Sequence, residues 1–243
     1  TVKRLLTLCL WCVLFFVVLP VTVYLLCYIP YFAYLGKQSL SDFFRNVVSA
    51  QIGMFDYHST PGLGMDHPYY SPWYEWPLIK RPMWYAMAQY MPEGLRYSIF
   101  CFGNPAVWLT GLAGIACTLV VWFKRHVYRL PNSEAILHPQ GQSDSVAPAF
   151  VLIGLLAQIL PWMLVPRGTY IYHYFASVPF LILGTSLAFF WLKKTYPKLG
   201  KILLIVYLSV CFVFFVAYYP YASGTTVPTE WLDFMRKFLR IYY

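Results

Sequence analysis

Charge is scarce in this 243-residue chain, with Asp, Glu, Lys and Arg making up only 11% of it, against about 25% in an ordinary soluble domain. That deficit excludes a water-soluble globular fold. Long stretches carry no charge at all: none falls within 5–29, 104–123, 149–165, 175–192 or 202–219. Transporters commonly bury an ionisable residue at mid-membrane, so the gap argues against a permeation path. Cysteine is present but unpatterned. Cys9, Cys12, Cys117 and Cys211 lie inside the apolar runs and Cys27 and Cys101 near run ends, which is no disulfide framework. Cys9-Leu-Trp-Cys12 has redox-motif spacing, but inside an apolar helix the spacing is coincidence. Internal repeats and low-complexity tracts are absent. No small-residue cleavage site closes the first apolar run, which is also too long for a signal peptide.

What the chain has instead is apolar and aromatic mass: 60% hydrophobic residues, 21% aromatic, and a mean hydropathy of +0.56. The expected class is an all-α polytopic membrane protein. A helix needs about 20 residues to cross the hydrocarbon, and five runs qualify: 5–29, 104–123, 149–165, 175–192 and 202–219. Pro20 is expected to kink the first and Pro161 to break the third near its end. Ala106, Thr110 and Gly114 leave a small-residue stripe on the second, suited to close helix packing. The sequence begins at Thr1, without Met and just before a span, as expected of a C-terminal portion of a longer protein. The division expected is a span at 1–30, a large loop at 31–102, a four-helix membrane region at 103–221 and an interfacial helix at 222–243.

The loop is organised around HPYYSPWYEWPLIKRPMWY at 67–85. Pro68, Pro72, Pro77 and Pro82 forbid a continuous helix, and the Trp and Tyr side chains favour a membrane-water boundary. Before it, Ser41 is expected to cap a helix whose Phe44, Val47, Val48, Ile52 and Phe55 form one apolar face, lying in the interface and ending at Asp56, Tyr57 and His58. Pro61, Gly62 and Gly64 then form a turn that would bring His58 towards His67. Trp231, Phe234, Met235 and Phe238 make a similar stripe near the end. Lys124, Arg125 and Arg129 open a polar connection running past Pro131 and Gly141 to Pro148, in which His126 and His138 read as solvated residues.

The net charge of +9 is explained by topology rather than by nucleic acid, because the bases sit largely beside the spans. One side receives Lys3, Arg4, Lys124, Arg125, Arg129, Lys193, Lys194, Lys198 and Lys201 against only Glu134 and Asp144. Bases in short loops near span ends mark the cytoplasmic side. The 67–85 loop, the turn at Arg167 and the C-terminus therefore face outward. That face gathers His58, His67, Glu75, Lys80, Arg81, Arg167 and His173. Arg167, directly at a span end, is the preferred anion anchor through its permanent charge and planar donors, with snorkelling as the structural alternative. Lys80 and Arg81 are further cations. The three histidines suit phosphate or sugar contacts; no metal-ligand spacing on one helix supports a metal site.

The 67–85 stretch resembles a loop of the protein O-mannosyltransferase family, and MFDYH at 54–58 and RGTYIYHYFASVPFLIL at 167–183 resemble that family in the same order. The resemblance implies the C-terminal membrane region of a GT-C type glycosyltransferase. It implies transfer of mannose from polyprenyl or dolichyl phosphate mannose to Ser or Thr of a translocated acceptor protein, with inversion at the sugar carbon. The bilayer and the lipid-linked donor are then the partners, with no nucleic acid and no cofactor. It also implies that the catalytic base belongs to an acidic pair in an N-terminal loop that nothing here matches. Glu75 is therefore expected to have a structural or substrate-contact role. The compact form points to a bacterial cell membrane, with the endoplasmic reticulum as alternative. A transporter and a non-catalytic scaffold subunit are the competing readings.

Overall fold

A computed structural model describes residues 2–34, 36, 39–87, 90–127 and 141–239. The chain forms two compact units, one ending at Thr60 and the other beginning at Pro61.

The first unit opens with a long apolar helix built from α1 (Val2–Val13), a π-helical turn (Leu14–Val18) and α2 (Leu19–Tyr34). The π turn directly precedes Pro20. Proline has no N–H and its ring crowds the carbonyl four residues earlier, so a locally widened turn accommodates it without ending the helix. Helix α3 (Leu40–Ser59) follows. Its cap is Ser39, not the expected Ser41: Asp42 N donates to Ser39 Oγ at 3.2 Å and Ser39 N donates to Asp42 Oδ2 at 3.4 Å. The reciprocal pair satisfies two otherwise orphaned amides, which a serine placed only one residue before Asp42 cannot do. Gln51 bridges Tyr24 and Tyr28 of α2 at 2.9 and 2.8 Å. Val47 is buried, whereas Phe44, Val48, Ile52 and Phe55 stay bare within the unit.

In the second unit, α4 (Pro105–Val127), α5 (Gly141–Met163), α6 (Val178–Thr195) and α7 (Pro197–Ser223) form the membrane bundle. Together with the first helix, five helices among the described residues are long and apolar enough to cross a membrane. Helix α5 starts earlier than expected and runs through Pro148, which is fully buried. A single proline removes one backbone hydrogen bond, a loss that close packing offsets. His138 lies outside the described residues, as does the side chain of His126. The small-residue stripe packs α4 on α6, but Gly111 and Gly114 carry the contact. A Cβ on Gly114 would stand 2.5 Å from Thr185 N, and one on Gly111 2.6 Å from Leu181 Cβ. Thr118 and Thr185 are buried there and return their hydroxyls to Gly114 O (2.8 Å) and Leu181 O (3.0 Å) of their own helices.

Small sheets supplement the helical frame. Strands β1 (Met83–Met87) and β3 (Ser98–Cys101) pair antiparallel with a bulge between Trp84 and Ala86, and β2 (Leu95–Arg96) pairs with β4 (Val227–Pro228). The aromatic and β-branched content of these segments suits a half-buried strand. β4 leads into α8 (Thr229–Leu239), where Met235 is buried against Tyr218 and Tyr221 while Phe234 is exposed. The main core joins loop to bundle: Trp76, Trp108, Leu155, Ile171, Tyr174 and Leu181 form one buried cluster.

Candidate functional site at the loop end of the bundle

The loop 67–85 is fixed by a buried knot at Ser71. Ser71 N donates to Thr169 O at 3.0 Å, and Ser71 O accepts from both Thr169 Oγ1 and Trp76 Nε1 at 2.9 Å. All three residues are nearly inaccessible. Polar groups hidden this deeply must be mutually satisfied, so the knot sets a single register between the loop and the 167–174 turn. A second lacing runs from Gly62 N to Pro166 O (2.9 Å) and from Gly168 N to Leu63 O (2.7 Å). It demands glycine, because a Cβ on Gly168 would meet Gly64 O at 2.4 Å.

These ties gather three of the expected residues around Tyr170. The exposed ring of His67 meets Tyr170 edge-on at 5.4 Å, and its Nδ1 accepts from Tyr69 N at 3.2 Å. His173 holds its Nδ1 against the Tyr170 backbone, 3.1 Å from N and 2.9 Å from O, with its ring 4.0 Å from Trp162 and 5.8 Å from Trp76. Arg167 is half-buried at the end of the lacing. Its Nη1 donates to Gly168 O at 3.1 Å, while Nε is buried with no hydrogen-bond partner among the described residues. An orphaned buried donor costs about 1–3 kcal/mol.

Glu75, Lys80 and Arg81 form a separate group beyond the 3₁₀ turn Trp76–Leu78. The turn closes on Ile79 at φ 53°, a left-handed conformation uncommon for a β-branched residue, which doubles the chain back. Lys80 Nζ and Arg81 Nε then lie 3.9 and 3.5 Å from the Glu75 carboxylate, and Arg81 Nη1 donates to Tyr70 O at 2.9 Å. These two cations are engaged by their own loop rather than presented bare. Glu75 Oε2 is buried and, among the described residues, receives no hydrogen bond. His58 ends α3 in the first unit, exposed and edge-on to Tyr57. Among the described residues no three His, Cys, Asp or Glu side chains are grouped to hold a metal. Burial pushes the Cys101 thiol up, so it stays protonated and is no nucleophile.

Ser71, Gly168, Thr169 and Tyr170 were not legible as site residues. Their signal lay in small and hydroxylated residues set inside the two aromatic stretches, which only pairing across about 100 positions turns into a knot.

This arrangement defines a polytopic helical membrane protein with a folded, cation-bearing loop face at one end of its spans. A model of the C-terminal four-transmembrane region of protein O-mannosyltransferases matches residues 43–239, and the chain belongs to that family. It is 25% identical over 241 residues to the polyprenol-phosphate-mannose–protein mannosyltransferase of Mycobacterium tuberculosis, covering 87% of this chain and 43% of that protein. It is 23% identical over 207 residues to protein O-mannosyl-transferase 2 of Drosophila melanogaster, covering 65% and 26% respectively. The chain thus spans less than half the length of these relatives. Its fold is similar to that of the Saccharomyces cerevisiae Pmt1-Pmt2 complex, solved bound to the sugar donor, with a TM-score of 0.61 at 20% identity over 83% of this chain and 26% of that one.

Proposed function

We propose that this chain forms the C-terminal membrane part of a glycosyltransferase that moves mannose from polyprenyl or dolichyl phosphate to Ser or Thr of a translocated protein. The observation that carries the reading is the family match across 43–239. The acceptor hydroxyl oxygen attacks the sugar carbon from the face opposite the phosphate, the carbon-oxygen bond to phosphate breaks, and the phosphate departs with the electron pair. A base takes the hydroxyl proton, and the configuration inverts. The departing phosphate needs fixed donors. Arg167 supplies them at headgroup level through its half-buried guanidinium, with His67 and His173 within the same Tyr170-centred group. Glu75, already facing Lys80 and Arg81, is engaged within its own loop rather than serving as base. The base comes from a part of the enzyme outside this chain. The lipid-linked sugar phosphate is the donor substrate, and the reading assigns no separate cofactor. The loop end faces away from the cytoplasm, in a bacterial cell membrane or, as alternative, the endoplasmic reticulum.

Lysine cannot reproduce the planar multi-donor grip of arginine. With radiolabelled mannosyl lipid phosphate, Arg167→Lys in the complete enzyme should therefore lower transfer about 10²-fold while insertion and accumulation stay normal. Unchanged turnover would make Arg167 an interface anchor only.

A further inference from the structure

A second site lies on the same loop face, away from Arg167. A cleft of about 290 Å³ opens between the β1–β3 hairpin and α8, walled by Tyr69, Trp84, Phe100 and Tyr221 and carrying one base, Arg96, and one acid, Asp233. Its walls are set in advance. Trp84 Nε1 donates to Ala86 O (3.0 Å) and Ser98 Oγ (3.2 Å), Tyr221 OH donates to Leu232 O (2.8 Å), and Phe100 meets Tyr221 edge-on at 5.3 Å. Arg96 stands on β2 and Asp233 on α8. The pairing of β2 with β4, and Thr229 N donating to Gly94 O at 2.9 Å, tie these two banks together. Both charged side chains are exposed, and among the described residues neither makes an ion pair or hydrogen bond.

A guanidinium offers only donors and a carboxylate only acceptors. Facing one cleft, their charges cancel, so the cleft gives no electrostatic preference to a lipid phosphate. What it matches is an electroneutral chain that presents both a carbonyl and an N–H at each step, which is a polypeptide backbone. Aromatic-lined grooves hold such extended segments by stacking their side chains. Tyr69 connects the cleft to the other site, its ring 5.6 Å from that of His67. We infer that this cleft receives an extended segment of the acceptor polypeptide, its carbonyls towards Arg96 and its N–H groups towards Asp233. The inference rests on the transferase reading above.

The chain in lipid nanodiscs would be titrated with a short, uncharged fluorescent peptide of Ala, Thr and Pro, read by anisotropy. Arg96→Glu and Asp233→Lys should each weaken binding at least about tenfold, since each removes a charged hydrogen-bond partner. Glu230→Lys, on the same helix but outside the cleft, should leave it unchanged. Polyprenyl phosphate binding, measured in parallel, should survive both cleft reversals, and Arg167→Lys should spare peptide binding. Loss of lipid phosphate binding alone would therefore count against the Arg167 reading and not against the cleft. Peptide affinity indifferent to both reversals, absence of any peptide binding, or displacement of the peptide by methyl mannoside would overturn the assignment.

Discussion

Trp76 and Glu75 are neighbours of unequal weight. Trp76 is 1% exposed, sits in the main core and hydrogen-bonds Ser71; Trp76→Ala should cost about 3–5 kcal/mol. Glu75 faces two cations that are each about half exposed, and such solvent-screened pairs contribute about 0–1 kcal/mol. Thermal unfolding in detergent should accordingly separate the variants widely, with Glu75→Gln close to the unaltered protein. Equal losses would mean that the ion pairs, not the tryptophan, hold the loop. This ranking could not be read along the chain, where Trp76 is one of several tryptophans in an interfacial stretch. Burial singles it out, and burial depends on Trp108, Leu155 and Tyr174 arriving from three other segments.

At the scale of elements, α4 packs closely on α6 through Gly111 and Gly114. Gly114→Leu drives a side chain into the backbone at Gly184 and Thr185, and overpacking of this kind costs about 1–3 kcal/mol. A lowered unfolding temperature with the helix content retained is the expected readout; an unchanged one would mean that the helices part freely. Helix α3 makes a pH-dependent prediction. The hydrogen bonds from Ser39 hold the Asp42 carboxyl below its ordinary value. A depressed carboxylate adds stability at pH values above its ordinary pKa and loses it as pH falls through the folded value. Circular dichroism should show α3 fraying below about pH 4, and Asp42→Asn should abolish that dependence. Of the expected stripe Ala106, Thr110 and Gly114, Gly114 was legible because small residues at helical spacing suit close packing in a membrane helix, whereas Gly111, which shares the contact, was not singled out. The helix cap was expected two residues late, at Ser41, since serines at 39 and 41 both precede an apolar run and only the reciprocal geometry with Asp42 separates them.

For the whole molecule, side assignment rests on the bases that flank the spans. In a cysteine-free background, Thr226→Cys should react with an impermeant thiol reagent added to intact cells, while Lys198→Cys in the first turn of α7 should not; the reverse pattern would invert the orientation. Purified alone, the chain should bind donor lipid phosphate without transferring sugar, because its best-placed carboxylate, Glu75, is already paired. Sugar transfer by the chain itself would return Glu75 to the role of base. The sequence alone determined the five spans and the two amphipathic helices now seen as α3 and α8, because hydrocarbon thickness and helical period act locally and leave their mark within twenty residues. It also carried the family in three aromatic stretches. Only the tertiary structure decided that, among the described residues, Arg167 Nε has no hydrogen-bond partner while Lys80 and Arg81 face Glu75, and that Arg96 and Asp233 face one cleft. Those outcomes depend on backbone contacts between segments far apart in the chain, and no local period records which distant carbonyl a side chain will find.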